Sequence, residues 1–168
     1  GLVIPTIDPE LPVYATHREE FLRIGTTVAI SDPATIVIGG NKDATHRWLV
    51  KSGFPTVRQT TAGKLRSDED ERACFPFPLL VKPRDGSASI GVAVVRDLAA
   101  LEAATAGGAF VVQSIALGDE HTVDVFVDRQ GKCRCAVPRR RLEVRAGEVS
   151  KAVTVKNEAL MDLARRIA

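Results

Sequence analysis

Residues Phe77 to Val95 read FPLLVKPRDGSASIGVAVV, and no other stretch limits the possible folds as much. Leu79–Val81 and Val92–Val95 are apolar runs of strand type. Between them lies a polar loop holding Lys82, Arg84, Asp85, Gly86, Ser87, Ser89 and Gly91. Two residues suffice to close a hairpin, so a loop this long does more than reverse the chain. Glycines let successive backbone N–H groups point into one concavity, and serine hydroxyls add donors, an arrangement that binds anions. Lys82, at the strand end, adds a compact positive charge beside it. The pattern is not a phosphate loop of the G-K-[ST] kind, nor G-x-G-x-x-G. The flanking strands predict a flap rather than a helix start. A solvated hairpin loop is the plain alternative.

The elements before and after this stretch differ in kind. Leu2–Pro5 and Thr26–Ile30 read as strands, with a helix predicted over Glu10–Ile24 and stopped by Gly25. Asp32–Pro33 opens a segment of undecided type. Asn41 is placed to cap a helix running to Lys51, with Gly53 beyond its end. This alternation is α/β and predicts parallel strands. Thr60–Arg72 is charge-rich and reads as a linker or weak helix. After the flap come a helix at Asp97–Ala106 and strands at Phe110–Ile115, Glu120–Asp128, Cys133–Val137 and Arg141–Arg145. In Glu120–Asp128, Val123, Val125 and Val127 alternate with Thr122, Asp124, Phe126 and Asp128, so one face is expected to be buried. Ala146-Gly147-Glu148 reads as a turn, and a last helix starts near Asn157. This second part is α+β with mostly antiparallel strands.

The 168 residues are 45% hydrophobic and 26% charged, with net charge +2. That suits a soluble globular chain, and no basic surface advertises a nucleic-acid partner. No apolar run approaches the roughly 18–20 residues of a membrane span. Three cysteines, Cys74, Cys133 and Cys135, argue against a disulfide framework and lack metal-knuckle spacing, which predicts buried free thiols in a reducing, cytoplasmic setting. The start in a strand-like run without Met, and the end in LMDLARRIA, read as a piece of a longer protein.

Other residues can share the flap's chemistry. Lys42 stands at a helix start, where the helix dipole favours anions. Backbone groups near Ser114 and Ile115 can meet a flat heteroaromatic ring. Glu120, after Gly118, can accept from ribose hydroxyls. A surface lysine and an exposed carboxylate are the plain alternatives for Lys42 and Glu120.

Taken in order, NKDATHRWLVKSGFPTV, FPLLVKPRDGSASIGVAVV, VVQSIALGDEHTVDVFVD and VPRRRLEVRAGEVSKAVTV resemble the ATP-grasp superfamily. The nearest likeness is to the synthetase domains of the carbamoyl-phosphate synthetase large subunit. The resemblance implies a fold, an ATP-grasp fragment preceded by part of a Rossmann-like pre-ATP-grasp domain. It divides the chain at 1–40 (end of that leading domain), 41–112 (N-terminal subdomain with the flap) and 113–168 (start of the C-terminal subdomain). Lys42 and Lys82 match the two basic residues that hold nucleotide phosphates. Asp85, Gly86, Ser87, Ser89 and Gly91 fall in the glycine-rich flap. Gln113, Ser114 and Ile115 match the hinge strand that meets adenine, and Glu120 the ribose carboxylate. Arg139 or Arg141 matches a basic residue near the phosphates or acyl phosphate. Asn41 stands where many members have Asp, and Gln113 where many have Glu. The family's magnesium-binding acid and its E-x-N signature have no match here, so no metal ligand is expected before residue 168.

The implied chemistry is that of an ATP- and Mg2+-dependent ligase. The γ-phosphoryl of ATP passes to a small-molecule carboxylate, and an amine or ammonia attacks the acyl phosphate. The flap would be a mobile lid that keeps water out. The resemblance implies an active full-length enzyme and an inactive fragment. A non-catalytic α/β ligand-binding or assembly module is the alternative. A kinase-like transferase is disfavoured because no H-R-D or D-F-G is present.

Overall fold

The computed structural model of the chain describes residues 1–87, 89–145 and 147–168. It divides into two compact units, Gly1–Ile115 and Ala116–Ala168.

In the first unit, β1 (Leu2–Val3) and β2 (Thr27–Val28) lie parallel, with Leu2 opposite Thr27. Helices α1 (Leu11–Thr16) and α2 (Arg18–Arg23) run between them. The single helix expected over Glu10–Ile24 is broken at His17, where the backbone sits at φ −99°, ψ 10°. The Thr16 hydroxyl donates to the Pro12 carbonyl at 2.9 Å, a local bond that competes with the helical ladder. The undecided segment after β2 is α3 (Pro33–Gly39). The Asp32 carboxylate caps it, accepting from the Thr35 N–H at 3.0 Å. Then comes α4 (Lys42–Lys51), capped by Asn41, whose side-chain oxygen accepts from the Ala44 N–H at 2.9 Å.

A four-stranded sheet follows, built from β3 (Gln59–Thr60), β4 (Leu79–Pro83), β5 (Ala93–Val95) and β6 (Phe110–Ser114) in the order β3-β6-β4-β5. Its neighbouring strands are antiparallel. Thr60–Arg72 is neither linker nor weak helix. It holds α5 (Ala62–Ser67) and the start of α6 (Glu69–Cys74), capped by Thr61 and Asp68. Its few apolar residues are what anchor it: Leu65 is buried, and the buried Thr60 hydroxyl is satisfied by the Glu71 carboxylate. With α7 (Leu98–Ala104), these helices close a core of Leu65, Phe75, Leu79, Val81, Leu101 and Val112.

The second unit is an antiparallel sheet of β7 (His121–Val127), β8 (Cys133–Arg145) and β9 (Glu148–Thr154), in that order, with α8 (Glu158–Ile167) packed against β7 and β8. The two strands expected over 133–145 are one strand running through Pro138. The Pro138 carbonyl accepts from Val155, just past the end of β9. The proline nitrogen faces the same way and cannot return a bond to the Val155 carbonyl, so the ladder gives up one bond there, beyond its last paired residues. The expected burial of one β7 face is not met: Val123 is only half-buried, and the buried residues belong to its partner strand. Ala136 and Pro138 are buried opposite Val125 and Val123, but Val125 and Val127 remain 40% and 37% exposed. The thiols are free but not buried: Cys74 and Cys135 are exposed and Cys133 is half-buried. Ala146 of the expected last turn lies outside the described residues. Among the described residues, no helix is long and apolar enough to cross a membrane.

Leu101 is fully buried, whereas Leu117 is 95% exposed. Leu101→Ala should therefore cost about 2–5 kcal/mol and Leu117→Ala within about 0.5 kcal/mol, read from denaturant midpoints at unchanged slope.

Candidate functional site

The site starts from the alternation of β4. Leu79 and Val81 are fully buried, so Leu80 and Lys82 take the other face of the sheet. Leu80 stands opposite Gln113, and Lys82 opposite Val111. Gln59 of β3 stands opposite Gln113 from the far side. Directly opposed residues share a face, so Lys82, Gln113 and Gln59 lie on one face together.

The start of α4 is joined to the base of the flap. Asn41 and Asp85 form an isolated antiparallel bridge. The Lys42 N–H donates to the Arg84 carbonyl at 2.9 Å. Asn41 Nδ2 donates to Asp85 Oδ1 at 2.9 Å, while its oxygen caps the helix. Arg84 Nε sits 3.1 Å from the other Asp85 oxygen. The Lys42 ammonium reaches across and donates to the Gly86 carbonyl at 2.8 Å. Burial, foremost, pulls the Lys42 pKa below the ordinary lysine value; the Lys82 ammonium pulls it further down, and Asp85 opposes them. Two like charges therefore act on each other beside a donor-rich loop, an arrangement that an added anion would relieve.

Within the flap, Gly86, Ser87, Ser89 and Gly91 are all exposed, and Ala88 lies outside the described residues. Gly91, at φ 72°, is held where a Cβ would come within 2.8 Å of Pro83 Cγ. Ser89 also has positive φ, 55°. The Val92 N–H donates to the Ser89 carbonyl at 3.3 Å.

On β6, the Ser114 N–H donates to the Arg58 carbonyl at 3.0 Å, and Ile115 is 36% exposed. Gln113 Nε2 donates to Gln59 Oε1 at 2.8 Å. Gln59 Nε2 in turn donates to Asp43 Oδ1 at 3.2 Å, and Arg47 sits 3.3 Å from the second Asp43 oxygen. Gln59 and Asp43 were not singled out by sequence. A two-residue strand carries no periodicity, and Gln59 precedes Gln113 by 54 positions.

Glu120, Arg139 and Arg141 belong to the second unit, where acidic partners engage them. Arg141 is paired with the Glu120 carboxylate and donates to the Gly147 carbonyl at 3.2 Å. Its Nε is buried without a partner among the described residues. Arg139 makes a two-pronged contact with Asp124, whose pKa is lowered chiefly by that hydrogen bond. Lys42, Lys82, Asp85, Gly86 and Gln113 are thus brought together in one unit, and Glu120 with Arg141 in the other. Among the described residues, no group of three or more His, Cys, Asp or Glu is placed to hold a metal ion.

The sequence model of the ATP-grasp domain family matches residues 39–168. No curated protein matches the sequence. Among solved structures, biotin carboxylase from Campylobacter jejuni, in a βγ-ATP complex, matches with TM-score 0.77 at 14% identity, over 98% of this chain and 42% of that one. The biotin carboxylase domain of 2-oxoglutarate carboxylase from Hydrogenobacter thermophilus, complexed with MgADP, ADP and bicarbonate, matches with TM-score 0.67 at 17% identity, over 88% and 36%. L-amino acid ligase from Bacillus licheniformis matches with TM-score 0.62 at 19% identity, over 90% and 35%. At these identities the likeness is one of fold, and the chain spans less than half the length of each.

Asn41→Ala removes both a helix cap and the bond to Asp85. It should cost about 1–2 kcal/mol in thermal or denaturant unfolding, more than Asn157→Ala, which loses only the α8 cap bond to Leu160. The lowered Lys42 pKa fixes the sign of a pH effect. The unfolded chain binds the proton more tightly, so stability should rise with pH between the lowered value and that of an ordinary lysine. The rise should be absent in Lys42→Met, as measured by unfolding at a series of alkaline pH values.

Proposed function

The chain belongs to the ATP-grasp domain family, and on that premise we propose that it is the ATP-binding region of a carboxylate–amine ligase. Lys42 and Lys82 hold phosphate oxygens, and the flap from Asp85 to Gly91 adds backbone and serine donors around them. Gln113 and the backbone at Ser114 and Ile115 receive adenine. Glu120 receives the ribose, and Arg139 or Arg141 steadies charge on the transferred phosphoryl group. For Glu120 to do so, its pairing with Arg141 must open. The observation that carries this reading is the convergence of Lys42, Lys82 and the Gly86 carbonyl at one end of the sheet, where Lys82 depresses the Lys42 pKa.

In the proposed reaction a carboxylate oxygen attacks the γ-phosphorus, the bond to ADP breaks, and an acyl phosphate forms. The amine or ammonia nitrogen then attacks the carbonyl carbon, and phosphate leaves with the electron pair as the nitrogen sheds a proton. The protein's part is mostly positioning and charge neutralisation. Magnesium, when bound, would supply further neutralisation, with ligands that we place beyond residue 168. The substrate is a small carboxylate: bicarbonate accompanies the Hydrogenobacter structure, and an amino acid is named for the Bacillus ligase. Carbamoyl-phosphate synthetase-like use of bicarbonate is our specific reading, in a cytoplasmic enzyme with no nucleic-acid or membrane partner. Residues 1–40 are read as the end of a Rossmann-like pre-ATP-grasp domain, 41–112 as the subdomain with the flap, and 113–168 as the start of the next.

Lys82→Met in the full-length protein separates this from a plain hairpin. A lost charge-assisted phosphate contact costs roughly 1.5–3 kcal/mol, while Lys82, half-buried but outside the core, should change stability by only about 0.5 kcal/mol. ATP affinity or turnover should therefore fall at least about tenfold with melting temperature nearly unchanged. Unaltered ATP kinetics in this variant would remove the main support for the ligase reading.

A further inference from the structure

The hydrogen bonds on the open face of the sheet have a direction, and Asp43 sets it. A carboxylate only accepts. The Gln59 atom that faces Asp43 Oδ1 at 3.2 Å is therefore its NH2 group. That leaves Gln59 Oε1 facing Gln113, so Gln113 must present its own NH2, at 2.8 Å. Arg47 holds the other Asp43 oxygen at 3.3 Å. The carbonyl oxygen of Gln113 is what remains, with no partner among the described residues. An amide alone has no preferred sense, since its two ends have nearly the same shape. Two amides in series with a carboxylate at one end have only one.

We propose that Asp43, acting through Gln59, fixes Gln113 as a hydrogen-bond acceptor and thereby makes the site prefer an amino-bearing purine over a keto-bearing one. Asp43 is then a specificity-determining residue that does not touch the base. This rests on the reading that nucleotide binds along this face, with phosphates at Lys82 and the base at Gln113. The register supports that spacing: Gln113 is opposite Leu80, two residues from Lys82 on β4. Residues in that diagonal relation have their Cα atoms about 7–8 Å apart, and the lysine stem extends the reach towards the phosphates. With guanine or hypoxanthine, a keto oxygen would face the Gln113 oxygen, and two acceptors cannot pair.

The polarity can be reversed without changing shape. In Asp43→Asn, the Asn NH2 can donate to Gln59 Oε1. Gln59 then donates to Gln113 Oε1, which leaves the Gln113 NH2 free for a keto group. Adding Gln113→Glu to that variant restores an acceptor at the base, since Glu only accepts and Gln59 can still donate to it.

The experiment is competition of ATP and ITP against a fluorescent ATP analogue on the full-length protein. The wild type should favour ATP. Asp43→Asn should narrow the ATP-to-ITP ratio by roughly tenfold, as one mispaired group costs on the order of 1–3 kcal/mol. The double variant should recover the ratio. A parallel loss for both nucleotides in Asp43→Asn, an unchanged ratio, or no recovery in the double variant overturns the proposal while leaving ATP binding intact. If the wild type binds neither nucleotide, the functional reading itself fails, and this inference with it.

Discussion

A sheet residue cannot change face without moving by one position along the strand, and the first unit depends on that. Leu79 and Val81 are completely buried in β4. Slipping the register by one would put Leu80 and Lys82 into the core, and an unpaired ammonium cannot be sheltered there. The demand for a dry core on one side therefore delivers Lys82 to the other. The same pairing carries Gln113 and Gln59 to the lysine's face, since each lies opposite a residue already assigned. The face that carries Lys82 is a by-product of hydrophobic burial, and its geometry is as firm as the core behind it.

What the sequence made legible follows from how local each signal is. Asn41 before a helix, Asp97 before another, and the apolar runs either side of the flap are read over a few residues and stand where expected. Lys82 could be marked because it adjoins the donor-rich flap, and Lys42 only because the resemblance sets it beside the same phosphates; alone, Lys42 reads as a surface lysine. Elements that depend on distant partners were not legible. β3 is two residues long and exists because β6 offers it an edge. The charge of Thr60–Arg72 masked two helices, of which the first is anchored by Ala62 and Leu65 sinking into the core. Cys133–Val137 and Arg141–Arg145 read as separate strands, but Pro138 costs only a bond beyond the last paired residues of β9, so one strand runs through it.

The ion pairs of the second unit were beyond sequence for a related reason. Three arginines in a row, Arg139, Arg140 and Arg141, read as a basic cluster. Each is matched by an acid from β7 or the turn leading into it: Asp124, Asp119 and Glu120 respectively. Adjacent strand residues point to opposite faces, so the cluster is dispersed as soon as the strand forms. Exposed pairs like Arg140–Asp119 contribute little to stability. Arg141 differs because its side chain is 19% exposed and its Nε lacks a partner among the described residues. Its link to Glu120 ties a strand to the turn beside it rather than decorating a surface.

The first turn of α4 touches two parts of the proposed nucleotide site that are usually thought of separately. Lys42 and Asp43 are neighbours in the chain, yet one reaches the flap and the other the amides beside Gln113. A helix places consecutive side chains about 100° apart with a fixed rise, so that turn behaves as a rigid gauge with two prongs. An engineer who rotated or shortened α4 to retune one prong would displace the other by the same motion. If this face binds as proposed, charge recognition and base recognition are not modular: they are inherited together, and would have to be redesigned together.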